Sequence, residues 1–172
     1  MPKKKDVALP EVLGLITGDK PLFNEARKLQ FLLLAQAIYG LLWLEGASWK
    51  ILVDGKLALN YDGLTYWASR GSEFPVLGAY KWLLDSFILP NIELLLPIVF
   101  LLELTIGLLF VMGKYIRIAA IMAIMQTMAI MLSVLNAPHE WKWSYFLMIL
   151  VAVFFFVIPT TSKWPNKILR RK

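Results

Sequence analysis

Three polar side chains stand inside long apolar runs of this 172-residue chain. Glu103 lies in FLLELTIGLLF, Gln126 in IMAIMQTMAIM and Gln36 in FLLLAQAIYG. An ionisable group near mid-bilayer costs several kcal/mol unless it is paired or neutralised, so its presence needs a reason. A carboxyl there can exchange a proton with a quinol, and amide NH₂ groups can donate to a quinone carbonyl. Counted from the basic ends of their runs, the three groups lie about eight to eleven residues in, roughly 12–17 Å deep at about 1.5 Å per residue. That count predicts one shared level on three helices. Three readings stay open: a quinone or proton site, an interhelical hydrogen-bond clasp that fixes the register of the bundle, and side chains that face different ways.

A second group gathers at the opposite ends of the runs: Glu45, Trp49, Lys50, Glu93, His139, Glu140 and Lys142. With Arg70, the cations Lys50, His139 and Lys142 would draw an anion to that face. The competing reading makes Lys and Trp interfacial anchors, with Glu45 and Lys50 a surface ion pair. Arg117, just inside its run, reads as a phosphate-facing anchor. Met122, Met125, Met128 and Met131 recur every three residues, as adaptable packing or as metal or quinone contacts.

The elements that must position these residues are membrane spans. The composition is 59% hydrophobic and 17% charged, too apolar for an ordinary soluble domain. The apolar residues also come in blocks long enough to cross a hydrocarbon core of about 30 Å. The fold expected is an all-α integral membrane protein, a four-transmembrane-helix antiparallel bundle. Its spans are 29–49, 92–112, 115–135 and 143–158. An N-terminal segment, 1–28, precedes them and a basic tail, 159–172, follows. The loop 50–90 is aromatic-rich; Asp54-Gly55 and Asp62-Gly63 are turn signals with a small hairpin between them. Residues 74–88 read as an interfacial amphipathic helix that Pro90-Asn91 ends before the second span. Thirteen Lys and Arg flank one side of these spans against five on the other, which places both termini in the cytoplasm and the chain in the cell membrane.

The net charge of +6 comes from basic residues flanking apolar runs, so it does not point to nucleic acid. With no cysteine and one histidine, the chain alone cannot supply a cysteine-ligated Fe–S cluster, a thioether-linked haem or bis-histidine ligation. No haem, Fe–S cluster or metal is expected, and a quinone would be a substrate. Phosphate-loop, zinc-ligand and serine-nucleophile motifs are missing too.

Three stretches carry a family likeness: LLWLEGASWKIL, FLLELTIGLLFVMGKYIRIAAIMA and NAPHEWKWSYFLMIL. They resemble the DoxX/DoxD family of small four-span membrane proteins over about residues 27–160, and most of all its DoxD branch. The resemblance implies the membrane subunit of an archaeal thiosulfate:quinone oxidoreductase. That enzyme oxidises thiosulfate to tetrathionate and reduces a membrane quinone of the caldariella type. It works with a DoxA-like small subunit and a terminal quinol oxidase. On this reading Glu103 and Glu45 are the candidate catalytic carboxylates. Gln36, Gln126 and Trp49 are candidates for holding the quinone, and Lys50, Arg70 and His139 for binding the anionic substrate. The alternative function is a non-catalytic assembly subunit of a respiratory membrane complex; a small-solute transporter has less behind it.

Overall fold

The computed structural model describes residues 25–53 and 56–158; the expected N-terminal segment up to residue 24 and the basic tail 159–172 lie outside the described residues. The first helix, α1 (Glu25–Ser48), is followed by a minimal hairpin, β1 (Leu52–Val53) paired antiparallel with β2 (Lys56–Leu57). Then come α2 (Tyr61–Glu73), α3 (Gly78–Leu83), α4 (Ile92–Met112), α5 (Ile116–Val134) and α6 (Lys142–Val157). Most of the described residues are helical. Among them three helical runs, Ala26–Ser48, Gly78–Met112 and Ile116–Val134, are long and apolar enough to cross a membrane, and Lys142–Val157 is a shorter apolar helix.

Two local expectations fail in the segment between α1 and α4. Asp62-Gly63 is not a turn between strands but the first turn of α2. The Asn60 side chain accepts a hydrogen bond from the Gly63 N–H at 2.9 Å and so caps the helix. Asp62 sits at the N-terminal end of its dipole and Arg70 at the C-terminal end, the favourable arrangement for both. Nor does Pro90 end a separate interfacial helix. A π-helical turn (Leu84–Ile88) and a 3₁₀ turn (Leu89–Asn91) carry α3 into α4 as one 35-residue helical run. Pro90 falls in the first positions of the 3₁₀ turn, where its missing N–H matters least. The run is about 50 Å long, against about 30 Å of hydrocarbon, so a good part of it projects beyond any membrane core.

α1 and α4 run antiparallel and touch through glycine. A Cβ on Gly40 would lie 2.8 Å from the Gly107 carbonyl oxygen, and one on Gly107 would lie 2.6 Å from Leu44. Only a missing side chain allows that approach. Gly113, in the left-handed conformation at φ 68°, closes α4 and turns the chain into α5. Near that turn the core is filled by Tyr39, Phe110, Ile116, Ala119, Ala120 and Phe155, drawn from α1, α4, α5 and α6. Outside it, Phe31, Leu34, Ile98, Leu101, Ile121 and Leu150 are exposed apolar side chains, as a lipid-facing surface requires.

Candidate functional site

At the other end of the bundle the helices part around a cavity of about 500 Å³. Its walls are apolar and aromatic, with Trp43 and Trp49 from the α1 side, Trp67 from α2, Tyr80 from α3 and Phe87 from the π-helical turn. Lys50, Glu103 and Gln126 line it as well. Cavities of this size and character, with a few convergent polar groups, are the usual form of small-molecule sites.

The polar cluster is built from three elements. Lys50 follows α1 in a short turn, where its N–H bonds the Ala47 carbonyl at 3.1 Å and its carbonyl accepts from the Asn60 N–H at 2.9 Å. Asn60 Nδ2 donates to the Trp49 carbonyl at 3.1 Å, so one side chain both caps α2 and pins this turn. Thus anchored, the Lys50 side chain folds back along α1. Its Nζ donates to the Gly46 carbonyl at 3.0 Å and to Glu103 Oε2 at 2.5 Å. The other Glu103 oxygen accepts from Gln126 Nε2 at 3.2 Å. Lys50 is 4% exposed and Glu103 2%.

A lysine at a helix end ordinarily sends its ammonium out to water. Lys50 does the reverse, and Glu103 is what compensates it. Trp49 adds to this, with the ammonium 4.3 Å from the centre of its ring. Two charges in apolar surroundings are tolerable only as a close, hydrogen-bonded pair. Spare capacity remains. Lys50 has a third N–H and Gln126 a second, while Glu103 has further lone pairs.

The other expected site residues fall in several places. Gln36 is buried but does not join the cluster. Its Nε2 donates to the Phe110 carbonyl at 2.6 Å, about two helical turns along α4 from Glu103. Its Oε1 has no hydrogen-bond partner among the described residues. The shared level of Gln36, Glu103 and Gln126 therefore reduces to Glu103 with Gln126. Lys50, expected at the anion-facing end, takes the third place. The depth count missed because α1 begins at Glu25, and its first turns extend past the level of the Gly113 turn.

Glu45 and Glu93 are exposed and do not line the cavity, whereas Trp49 does. Arg70, on α2, pairs with Glu73 at 2.9 Å and lies against the rings of Tyr66 and Phe74. His139 is exposed in the α5–α6 turn with φ 67°. Arg117 is exposed near the Gly113 turn. Met125 and Met128 face outward, while Met122 packs against the core. Sequence reasoning passed over Tyr145, which lines the cavity and donates to Glu140 Oε2 at 2.8 Å. Its signal was present three residues after Lys142, but an aromatic at a span end reads first as an interfacial anchor.

Among the described residues no group of three or more His, Cys, Asp or Glu side chains is placed to hold a metal ion. Comparison of the chain with protein-family models, with curated proteins and with solved structures returned no match.

Proposed function

We propose that the chain is a four-span membrane protein that binds a quinone in this cavity. We further propose that it serves as the membrane subunit of a thiosulfate:quinone oxidoreductase. The observation that carries the quinone reading is the Lys50–Glu103–Gln126 cluster on the wall of an otherwise apolar, aromatic-lined cavity. A quinone ring needs flat apolar walls and one or two hydrogen-bond donors at its oxygens. Trp43, Trp67 and Phe87 offer the walls; the spare N–H groups of Lys50 and Gln126 are the donors. Its isoprenoid tail would leave between Leu42 and Phe87, cavity-lining residues that are 56% and 54% exposed. On reduction Glu103 takes up or relays a proton, while Lys50 keeps its charge balanced.

Thiosulfate as electron donor follows from the DoxX/DoxD likeness, as do the DoxA-like small subunit and the terminal quinol oxidase as partners. In this reading thiosulfate approaches from the water at the end carrying Arg70 and His139. Lys50 serves the quinone rather than the anion. The excess of Lys and Arg flanking residues 29 and 114 and in the tail supports cytoplasmic termini and a place in the cell membrane. Four spans require α6, at 16 residues, to cross as well, which a thin or locally compressed bilayer allows.

The test is thiosulfate-dependent reduction of decylubiquinone by the purified chain, alone and with its partners. Glu103→Gln keeps an acceptor for Lys50 but has no proton to exchange, so it should assemble and lose turnover. Unchanged turnover removes Glu103 from the mechanism. One observation favours a second reading, a non-catalytic assembly subunit: Lys50, Glu103 and Gln126 already satisfy one another and could act as a clasp. In that case neither the wild type nor the variant reduces or binds the quinone, and oxidase assembly depends on the chain.

A further inference from the structure

The cavity has a second polar spot. Tyr145 and Glu140 line it from the α6 side, with the Tyr145 hydroxyl donating to Glu140 Oε2 at 2.8 Å. The ionisable groups facing this cavity are Lys50, Glu103, Tyr80, Glu140 and Tyr145. Tyr80 is committed elsewhere, since its hydroxyl donates to the Ala129 carbonyl at 2.9 Å. Glu140 differs from Glu103 in its access to water. It is half-buried in the α5–α6 turn, between exposed His139 and exposed Trp141. The pair therefore connects the interior of the cavity to the surface by one hydroxyl and one carboxyl.

We propose that Tyr145 holds the quinone oxygen not held by Lys50 and Gln126, and that Glu140 feeds it the proton needed for reduction. The proposal rests on the quinone reading above. A quinone has two oxygens on opposite sides of its ring, and each must gain a proton when two electrons arrive. A phenol can donate and accept at once. With Glu140 ionised, Tyr145 donates to it, as observed. Once Glu140 takes a proton from water it becomes the donor, and the phenol hydrogen is freed to face the quinone. The Tyr145 O–H then breaks as the quinol O–H forms, and Glu140 restores the phenol proton. The second proton is one that Glu103 first takes up from water; Glu103 passes it to the other oxygen and returns to the carboxylate paired with Lys50. The two electrons come from two thiosulfates, which join through a new S–S bond as tetrathionate. Charge and atoms balance: two thiosulfates, one quinone and two protons give one tetrathionate and one quinol.

The experiment uses the full chain in detergent with decylubiquinone as the probe. Quenching of tryptophan fluorescence gives Kd, and electrochemically driven infrared difference spectra report carboxyl groups whose protonation changes with the quinone. Tyr145→Phe should weaken binding about tenfold, the value of one hydrogen bond in a buried site. Glu140→Gln should bind as the wild type does but lose one of its redox-linked carboxyl bands. Wild-type affinity in Tyr145→Phe, or an unaltered set of bands in Glu140→Gln, overturns this proposal alone. Failure of the wild type to bind the probe overturns it together with the quinone reading.

Discussion

The two halves of this bundle bury similar polar groups to opposite effect. In the half near Gly113, Gln36 is spent on one backbone carbonyl and glycine and alanine let the helices close around it. In the other half, tryptophan, tyrosine and phenylalanine line a cavity that Glu103, Lys50 and Gln126 border. The same four helices run through both halves and α2 and α3 join only the open one, so pairing of the long helices alone does not make a site. Residue size decides it. The Gly40–Gly107 contact sets α1 against α4 at one end, and at the other the space beside them is lined by aromatic side chains and by the Lys50–Glu103 pair. Its close packing at the glycine contact suits the closed half to support the open one, as a preorganised site requires.

The sharpest way to break this contrast is to remove one charge from the open half. Lys50→Met leaves Glu103 buried without its cation, which should cost about 3–5 kcal/mol. The double variant Lys50→Met/Glu103→Leu should recover most of that loss, because it removes both charges together. Thermal unfolding in detergent checks both. A single variant as stable as the wild type would mean that the Glu103 charge is met by something other than Lys50.

The closed half should respond differently. Gly40→Val forces a side chain into the Gly107 carbonyl and should destabilise by about 1–3 kcal/mol. Its affinity for decylubiquinone, measured by tryptophan quenching, should stay near that of the wild type. Affinity that falls in step with stability would show that the halves are coupled and that the support is part of the site.

The long helices were legible because a span is written in consecutive residues. α5 and α6 fall within a residue of the expected bounds at either end, and so does the end of α4. Glu103 and Gln126 were legible for the same reason, as polar residues within apolar runs. What escaped depended on direction and relative height. Depth counted from each helix's own basic end puts Gln36 level with Glu103, but α1 starts well beyond the turn that ends α4. A lysine at a span end usually points outward, and nothing in the immediate neighbours of Lys50 announces the carboxylate on another helix. Asp62-Gly63 and Pro90 look like breaks in the sequence, since a capped helix start and a tolerated 3₁₀ turn use the same residue types as a true turn. The closeness of Tyr145 to Glu140 and the cavity needed the packing of α6 to become visible.

The smallest effect tests the edge of the open half. His139 holds a left-handed conformation at φ 67°, one that costs most side-chain-bearing residues about 1–2 kcal/mol, somewhat less for histidine. His139→Gly removes that strain but loosens the unfolded chain, and the two changes nearly offset, leaving stability within about 0.5 kcal/mol of the wild type. His139→Ala keeps the strain and gains no such freedom, so it should be the less stable of the two variants. Since His139 does not line the cavity, neither variant should alter binding of decylubiquinone. On the proposed function, thiosulfate-dependent turnover then divides two roles for this residue. If histidine serves only to shape the turn that presents Glu140, His139→Gly keeps full turnover. If its imidazole helps draw the anion, turnover falls at limiting thiosulfate and recovers at saturation, while the quinone affinity does not move.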